Sequence, residues 1–172
     1  MELNDFKTSV LPLRDKLFRF ARRLTNHDGE AEDIAQDVVV KLWNRRYDLK
    51  KYRSTEALAM VMVKNMSLDY LKSKRSKSSP LEKAFSLSGS RNNPEDIMEQ
   101  SDSVRNLRQV LKTLPEQQRM VLHLRDIEQM EFDEIEEITK MNLNAIRVNL
   151  SRARKALREK LLKIERDEFT ES

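Results

Sequence analysis

The chain has 172 residues, room for one domain or two small ones, and its 36% charged residues, 6% aromatics, two glycines and four prolines describe helices on short connections rather than a β-sandwich or barrel. Cysteine is absent and His27 and His123 are the only histidines, which excludes disulfides, thiolate zinc sites and a cysteine nucleophile and fits a reducing cytoplasm. The longest apolar run, residues 57–63, is too short for a membrane helix, and the N-terminus lacks a basic segment followed by an apolar core, so neither secretion nor membrane insertion is expected.

In chain order, Phe6, Val10, Leu13, Leu17 and Leu24 recur at helical spacing, with Pro12 marking either a kink or a delayed start. An Asp28–Gly29 turn then leads into a second helix whose apolar stripe is Ala31, Ile34, Ala35, Val38 and Leu42, ending near Trp43. Its other side is acidic: Asp28, Glu30, Glu32, Asp33 and Asp37 stand in residues 28–37 without a basic residue. The segment 44–54 loses the stripe and gains charge and two tyrosines. A third helix is predicted from Ser54 or Thr55, with Thr55 and Glu56 suited to its first turn. Its start is apolar on nearly all sides, as for a helix sandwiched between the other two. Residues 64–77 turn basic, with Lys64, Lys72, Lys74, Arg75 and Lys77 against Asp69.

Seven serines and Pro80 in residues 73–90, followed by NNPED, break the periodicity, so residues 75–102 read as a linker between two helical domains. The alternative is one long surface loop, which is uncommon within a compact domain. Beyond it, Val104–Leu114 reads as a helix, Pro115 as the first residue of the next, and residues 131–138 as a short acidic third.

The fourth helix, from residue 146 to 164, has two sides. Ile146, Leu150, Ala153, Leu157, Leu161 and Ile164 fall within about 80° of one another and form the packing stripe. Arg147, Val148, Ser151, Arg152, Lys155 and Arg158 point elsewhere. A short acidic helix, a break at KMNLN and a basic helix have the spacing of a helix-turn-helix, whose second helix enters the major groove of DNA. Arginine suits both guanine edges and phosphates. An ordinary solvated helix face is the competing reading.

Four motifs in register, EAEDIAQDVVVKLW, VKNMSLDYLKSK, LPEQQRMVLHLRDIE and AIRVNLSRARKALRE, closely resemble the extracytoplasmic-function group of bacterial RNA polymerase sigma factors. The resemblance implies an all-α fold: a three-helix domain like region two over residues 1–74, the linker, and a four-helix domain like region four over residues 103–172. It implies that Asp33, Gln36 and Asp37 dock on the clamp helices of the polymerase β′ subunit. The loop after that helix and the start of the next would take the minus-ten promoter element as it melts, where a base leaves the duplex and the freed strand is held by stacking and basic groups. Tyr47, Lys50, Lys51, Tyr52 and Arg53 are the local candidates, with Lys64, Asn65, Lys72 and Arg75 further on; each tyrosine equally suits a hydrophobic anchor. Asn65 and Asp69 match patterned positions that suit either DNA contact or helix packing.

Region four implies a reader of the minus-thirty-five element with the β flap as its protein partner. Arg147, Asn149, Ser151 and Arg152 match positions that contact bases or backbone, and Arg154 and Lys155 are expected on phosphates. The sequence departs from the family pattern at three places: Glu136 stands where a small alanine is usual at the helix crossing, Lys140 where the turn often has glycine, and Leu58 where an aromatic is common. An anti-sigma protein is a further expected partner. Catalysis, a small-molecule substrate, a cofactor and a metal are not expected, since there is no glycine-rich phosphate loop and the two histidines lie in unrelated segments. A free-standing DNA-binding regulator and a protein-binding decoy are the rival classes; the acidic second helix speaks against the first and the basic helices against the second.

Overall fold

The computed structural model describes residues 1–77 and 101–171, and the chain divides into two compact units, Met1–Ser90 and Arg91–Ser172. Among the described residues every regular element is helical. Most of the linker expected over 75–102 lies outside them, although its first residues differ from expectation: the helix beginning at Thr55 continues to Lys77.

The first unit opens with α1 (Leu3–Ser9), a 3-10 turn (Leu11–Leu13) and α2 (Arg14–Thr25). Pro12 thus breaks the helix rather than kinking it, because a proline lacks the N–H that an α-helix interior requires and is tolerated in a first turn. Asn26, in left-handed conformation with φ 52°, ends α2, and α3 (Asp28–Asn44) follows almost at once. The Asp28–Gly29 pair expected to precede that helix is its first turn instead. The capping group is the His27 imidazole, whose Nδ1 accepts the Glu30 N–H at 2.9 Å. That nitrogen satisfies one of the orphan donors of a helix start, a task more often given to Ser, Thr, Asp or Asn.

After a 3-10 turn (Leu49–Lys51), α4 (Thr55–Lys77) begins where the sequence placed it. The Ser54 hydroxyl accepts the Ala57 N–H at 3.1 Å, a serine N-cap. Helices α2, α3 and α4 pack on one another, enclosing Leu17, Phe20, Ile34, Val38, Leu42, Met60 and Val63. Alanines 21, 31, 35, 57 and 59 are fully buried between them, and such small side chains allow close approach of helix axes. Ion pairs tie the register: Arg22 to Asp28 at 2.7 Å, Lys16 to Glu56 at 2.9 Å, and Arg14 to Glu32. Partly exposed pairs of this kind contribute only about 0–1 kcal/mol each, so burial carries the stability.

The second unit contains α5 (Asp102–Thr113), α6 (Glu116–Leu122), which runs into a π-helical turn (His123–Ile127), α7 (Phe132–Thr139) and α8 (Leu143–Glu171). Pro115 caps α6 from outside instead of opening it. Lys160 meets Thr113 and Asn106 meets Glu168 at 3.3 Å, which sets α5 antiparallel to the second half of α8. The core joins Val110, Leu111 and Leu114 to Met120, Val121, Leu124, Met130, Ile135, Ile138, Ile146, Leu150 and Ala153. Leu157, Leu161 and Ile164 continue that stripe half-buried, and α8 extends beyond the expected 164 to Glu171.

Candidate nucleic-acid and polymerase interfaces

Two of the five carboxylates in residues 28–37 are neutralised within the unit, Asp28 by Arg22 and Glu32 by Arg14. Asp33, Gln36 and Asp37 are exposed, and among the described residues no hydrogen bond or ion pair engages their side chains. Val40, 56% exposed, lies one turn further along the same stripe at i, i+3, i+4, i+7 spacing. The sequence reading passed over Val40, although that spacing marks it as part of the face. Two uncompensated like charges at i, i+4 weaken a helix by a few tenths of a kcal/mol, a cost that an outside cation would reverse.

In the connection after α3, the buried Leu49 anchors the 3-10 turn, leaving Tyr47 66% and Tyr52 42% exposed. Lys50, Lys51 and Arg53 are exposed with them. The Lys51 ammonium bonds Asp48 at 2.5 Å; that bond and the charge behind it hold the Asp48 carboxyl below, and the Lys51 amine above, their ordinary values, so the pair is ionised across neutral pH. Arg46, not among the sequence candidates, lies against the rings of Trp43 and Tyr47. On α4, Lys64 is half-buried and Asn65, Lys72 and Arg75 are exposed, all within one flank about 100° wide.

In the second unit, a capping box of Glu131 and Glu134 starts α7. Lys140 ends it in left-handed conformation with φ 60°, its N–H donated to the Glu136 carbonyl at 2.9 Å. This is the turn in which glycine is usual, and lysine adopts the strained geometry rather than changing the turn. Glu136 itself is half-buried. The Asn142 side chain then accepts the Ala145 N–H at 2.8 Å and caps α8.

Arg147, Ser151, Arg154 and Lys155 line one open groove of about 490 Å³ with Phe132, Leu150, Arg158 and Glu159. Arg147 lies 5.7 Å, and Arg125 4.2 Å, from the Phe132 ring centroid, within cation–π range. Asn149 stands apart, about 160° round the helix from Arg147; its amide is bonded to the Ala145 carbonyl at 2.8 Å. Arg152 is exposed outside the groove. Arg154 has an internal partner that the sequence did not reveal: Asp126, held through Nε at 2.9 Å and Nη2 at 2.6 Å. This two-pronged contact, led by the hydrogen bond, raises the guanidinium's pKa further.

Such a pair of units is a helical scaffold with one acidic face, one basic aromatic loop and a helix-turn-helix, and comparison with known proteins gives it a family. The profile described as Sigma-70 region 2 matches residues 10–77, and that described as Sigma-70, region 4 matches residues 105–157. The chain belongs to the sigma-70 family of RNA polymerase sigma factors, within the extracytoplasmic-function group, and directs promoter-specific transcription initiation. It is 28% identical over 160 residues to the RNA polymerase sigma-E factor of Streptomyces avermitilis, covering 93% of this chain and 87% of that one. With the extracytoplasmic-function sigma factor SigW of Bacillus subtilis it shares 25% identity over 157 residues, 86% of this chain and 84% of the relative. A solved structure of the sigma factor RpoE in complex with the anti-sigma factor NepR, from Bartonella quintana, superposes with a TM-score of 0.73 at 22% identity, covering 94% of this chain and 99% of that chain. That likeness bears on the fold, and it agrees with the all-α reading.

Proposed function

We propose that the first unit docks on the clamp helices of the polymerase β′ subunit through Asp33, Gln36 and Asp37, with Val40 as the apolar part of the contact. One observation carries this: the carboxylates facing α2 are neutralised by its arginines, whereas Asp33 and Asp37 are exposed without a partner among the described residues. The loop with Tyr47, Lys50, Lys51, Tyr52 and Arg53, together with Lys64, Asn65, Lys72 and Arg75 on α4, takes the minus-ten element as it melts. Two exposed tyrosines among basic side chains are suited to an unpaired strand. The start of α8 reads the minus-thirty-five element through Arg147, Ser151 and Arg152, with Lys155 on phosphate, while the β flap holds the second unit. Asn149 joins the base contacts through its Oδ1 and second Nδ2 hydrogen, which its bond to Ala145 leaves available. The first domain ends with α4 at Lys77 and the second opens with α5 at Asp102, and the protein acts in the cytoplasm without catalysing bond formation and without a cofactor or small-molecule substrate. An anti-sigma protein covering these faces would be its regulator, by analogy with the solved complex of RpoE and the anti-sigma factor NepR.

Transcription in vitro with purified core polymerase tests the reading. The wild-type chain should add specific initiation, and Asp33→Lys with Asp37→Lys should abolish it by lowering core affinity while leaving the helix content unchanged. Full activity in that double variant would overturn the assignment of the acidic face.

A further inference from the structure

Three arginines of the second unit are held in three different ways. Arg154 is gripped by the Asp126 carboxylate. Arg125, half-buried, donates from Nη1 to the Met130 carbonyl at 2.7 Å and lies 3.9 Å from the Glu131 carboxylate, with its guanidinium carbon 4.2 Å from the centroid of the Phe132 ring. Arg147 is exposed, and among the described residues no hydrogen bond or ion pair engages its guanidinium. What it lies against is the same ring, 5.7 Å from the centroid. Phe132 is the first residue of α7, where the capping box of Glu131 and Glu134 fixes the backbone, and it is half-buried in the wall of the groove that Arg147 also lines.

We propose that Phe132 is a positioning residue for Arg147: its ring holds the guanidinium by attraction to its charge, so that the fork is placed at the groove before a base edge arrives. A free arginine side chain carries about 2 kcal/mol of rotamer entropy, part of which is lost when it pairs with the two acceptors of a guanine edge. Restraining it beforehand lowers that cost. A carboxylate would restrain it too, as Asp126 restrains Arg154, but would occupy N–H donors and offset the charge. An aromatic ring attracts the cation through its quadrupole and takes none of the five N–H donors that a guanidinium offers. Phenylalanine adds no polar group of its own to compete with a base. The ring is in turn backed by Arg125, which the Met130 carbonyl fixes. Discrimination at one base pair would thus depend on α7 and on the π-helical turn as well as on α8.

This inference rests on the reading of α8 as the minus-thirty-five contact, and the test separates the two. Holoenzyme, formed from core polymerase and the full chain, is bound to promoter duplexes that differ by one base pair at successive minus-thirty-five positions, and to a duplex with that element scrambled. Arg147→Ala should lower the preference at one position by about 5–150-fold, the range for loss of a bidentate base contact. Phe132→Leu should lower the preference at that same position by about 2–5-fold, the range for loss of an exposed cation–π contact. It should leave binding of the scrambled duplex and the salt dependence unchanged, and add nothing in the Arg147→Ala background. Phe132→Tyr, which keeps the ring, should behave as wild type. Because leucine also changes the packing at the start of α7, a further variant carries pentafluorophenylalanine at position 132, close to phenylalanine in shape but with the charge distribution of the ring reversed; it should lose at least as much preference as Phe132→Leu. If that variant keeps the wild-type preference, the ring acts by shape alone and the proposal is wrong. Equal losses on every duplex, the scrambled one included, would make Phe132 a support for the fold of the second unit, which also overturns it. A loss of preference in Arg147→Ala with none in either Phe132 replacement would keep α8 as the reader and sink the positioning role alone; unchanged base preference in Arg147→Ala would sink both.

Discussion

Lys140 holds φ 60° at the turn between α7 and α8, where a Cβ crowds the backbone and costs about 1 kcal/mol relative to glycine. Lys140→Gly should therefore raise the stability of the second unit by up to about 1 kcal/mol in urea unfolding, less whatever glycine adds to the entropy of the unfolded chain; a loss of stability would show that the lysine side chain compensates the turn. A sharper contrast lies between two neighbouring cations of the groove. Lys155 is exposed, whereas Arg154 grips Asp126 through Nε and Nη2, so a phosphate meets only the remaining Nη donors of a guanidinium whose charge a carboxylate already offsets. Each phosphate contact contributes about 0.9 to the slope of log affinity against log salt. Lys155→Ala is expected to lower that slope for minus-thirty-five duplex binding by about this amount, and Arg154→Ala by clearly less. Equal losses in a salt titration would mean that the Asp126 contact opens freely on DNA.

At the scale of elements, the π-helical turn His123–Ile127 is the least ordinary piece of the second unit. It closes with the Glu128 N–H on the His123 carbonyl at 3.0 Å and brings the two side chains together, His123 Nε2 to Glu128 Oε1 at 3.4 Å, both buried. Removing either side chain takes a close polar neighbour away from a buried group. Glu128→Ala should cost about 2–5 kcal/mol, read as a lower urea midpoint, while His123→Leu combined with Glu128→Leu should come back close to wild type. Additive losses would show that the two side chains act independently. None of this was legible in the sequence, because a π turn has no period of its own, and a histidine and a glutamate five residues apart do not share a face of an ordinary α-helix. By contrast, the stripes of α3 and α8 could be read directly, since burial follows the 3.6-residue period that the apolar residues display. The uniform apolarity of α4 at its start likewise announced a helix packed between two others. What stayed hidden at the candidate sites were pairings set by tertiary approach, such as Arg154 with Asp126 across 28 positions and Phe6 beneath Trp43, and the stack of Arg46, whose short spacing says nothing about the orientation of a guanidinium. The acidic block was legible as a count of charges, but which of its carboxylates face outward depended on where α2 set its arginines.

For the whole molecule, the consequence of two compact units is that, on the reading proposed above, each would present a small DNA-contacting surface. One recognition helix or one loop covers an area typical of single modules, about 600–1,000 Å², and part of what it offers is held internally: Asn149 by Ala145, Arg154 by Asp126 and Lys51 by Asp48. Two weak contacts on one chain add in free energy only when both can engage at once, and the gain vanishes when geometry forbids it. Core polymerase, gripping the acidic face of α3, would supply both the spacing of the two elements and the melted strand that the first unit is suited to hold. The isolated chain should therefore bind a promoter duplex weakly and with little sequence preference, while the holoenzyme should bind the same fragment roughly 10²-fold or more tightly. Fluorescence anisotropy with a labelled promoter, at one fixed salt concentration, measures both. The enhancement should disappear in the Asp33→Lys, Asp37→Lys chain, and a chain that bound equally well with and without core would be reading DNA as an autonomous regulator.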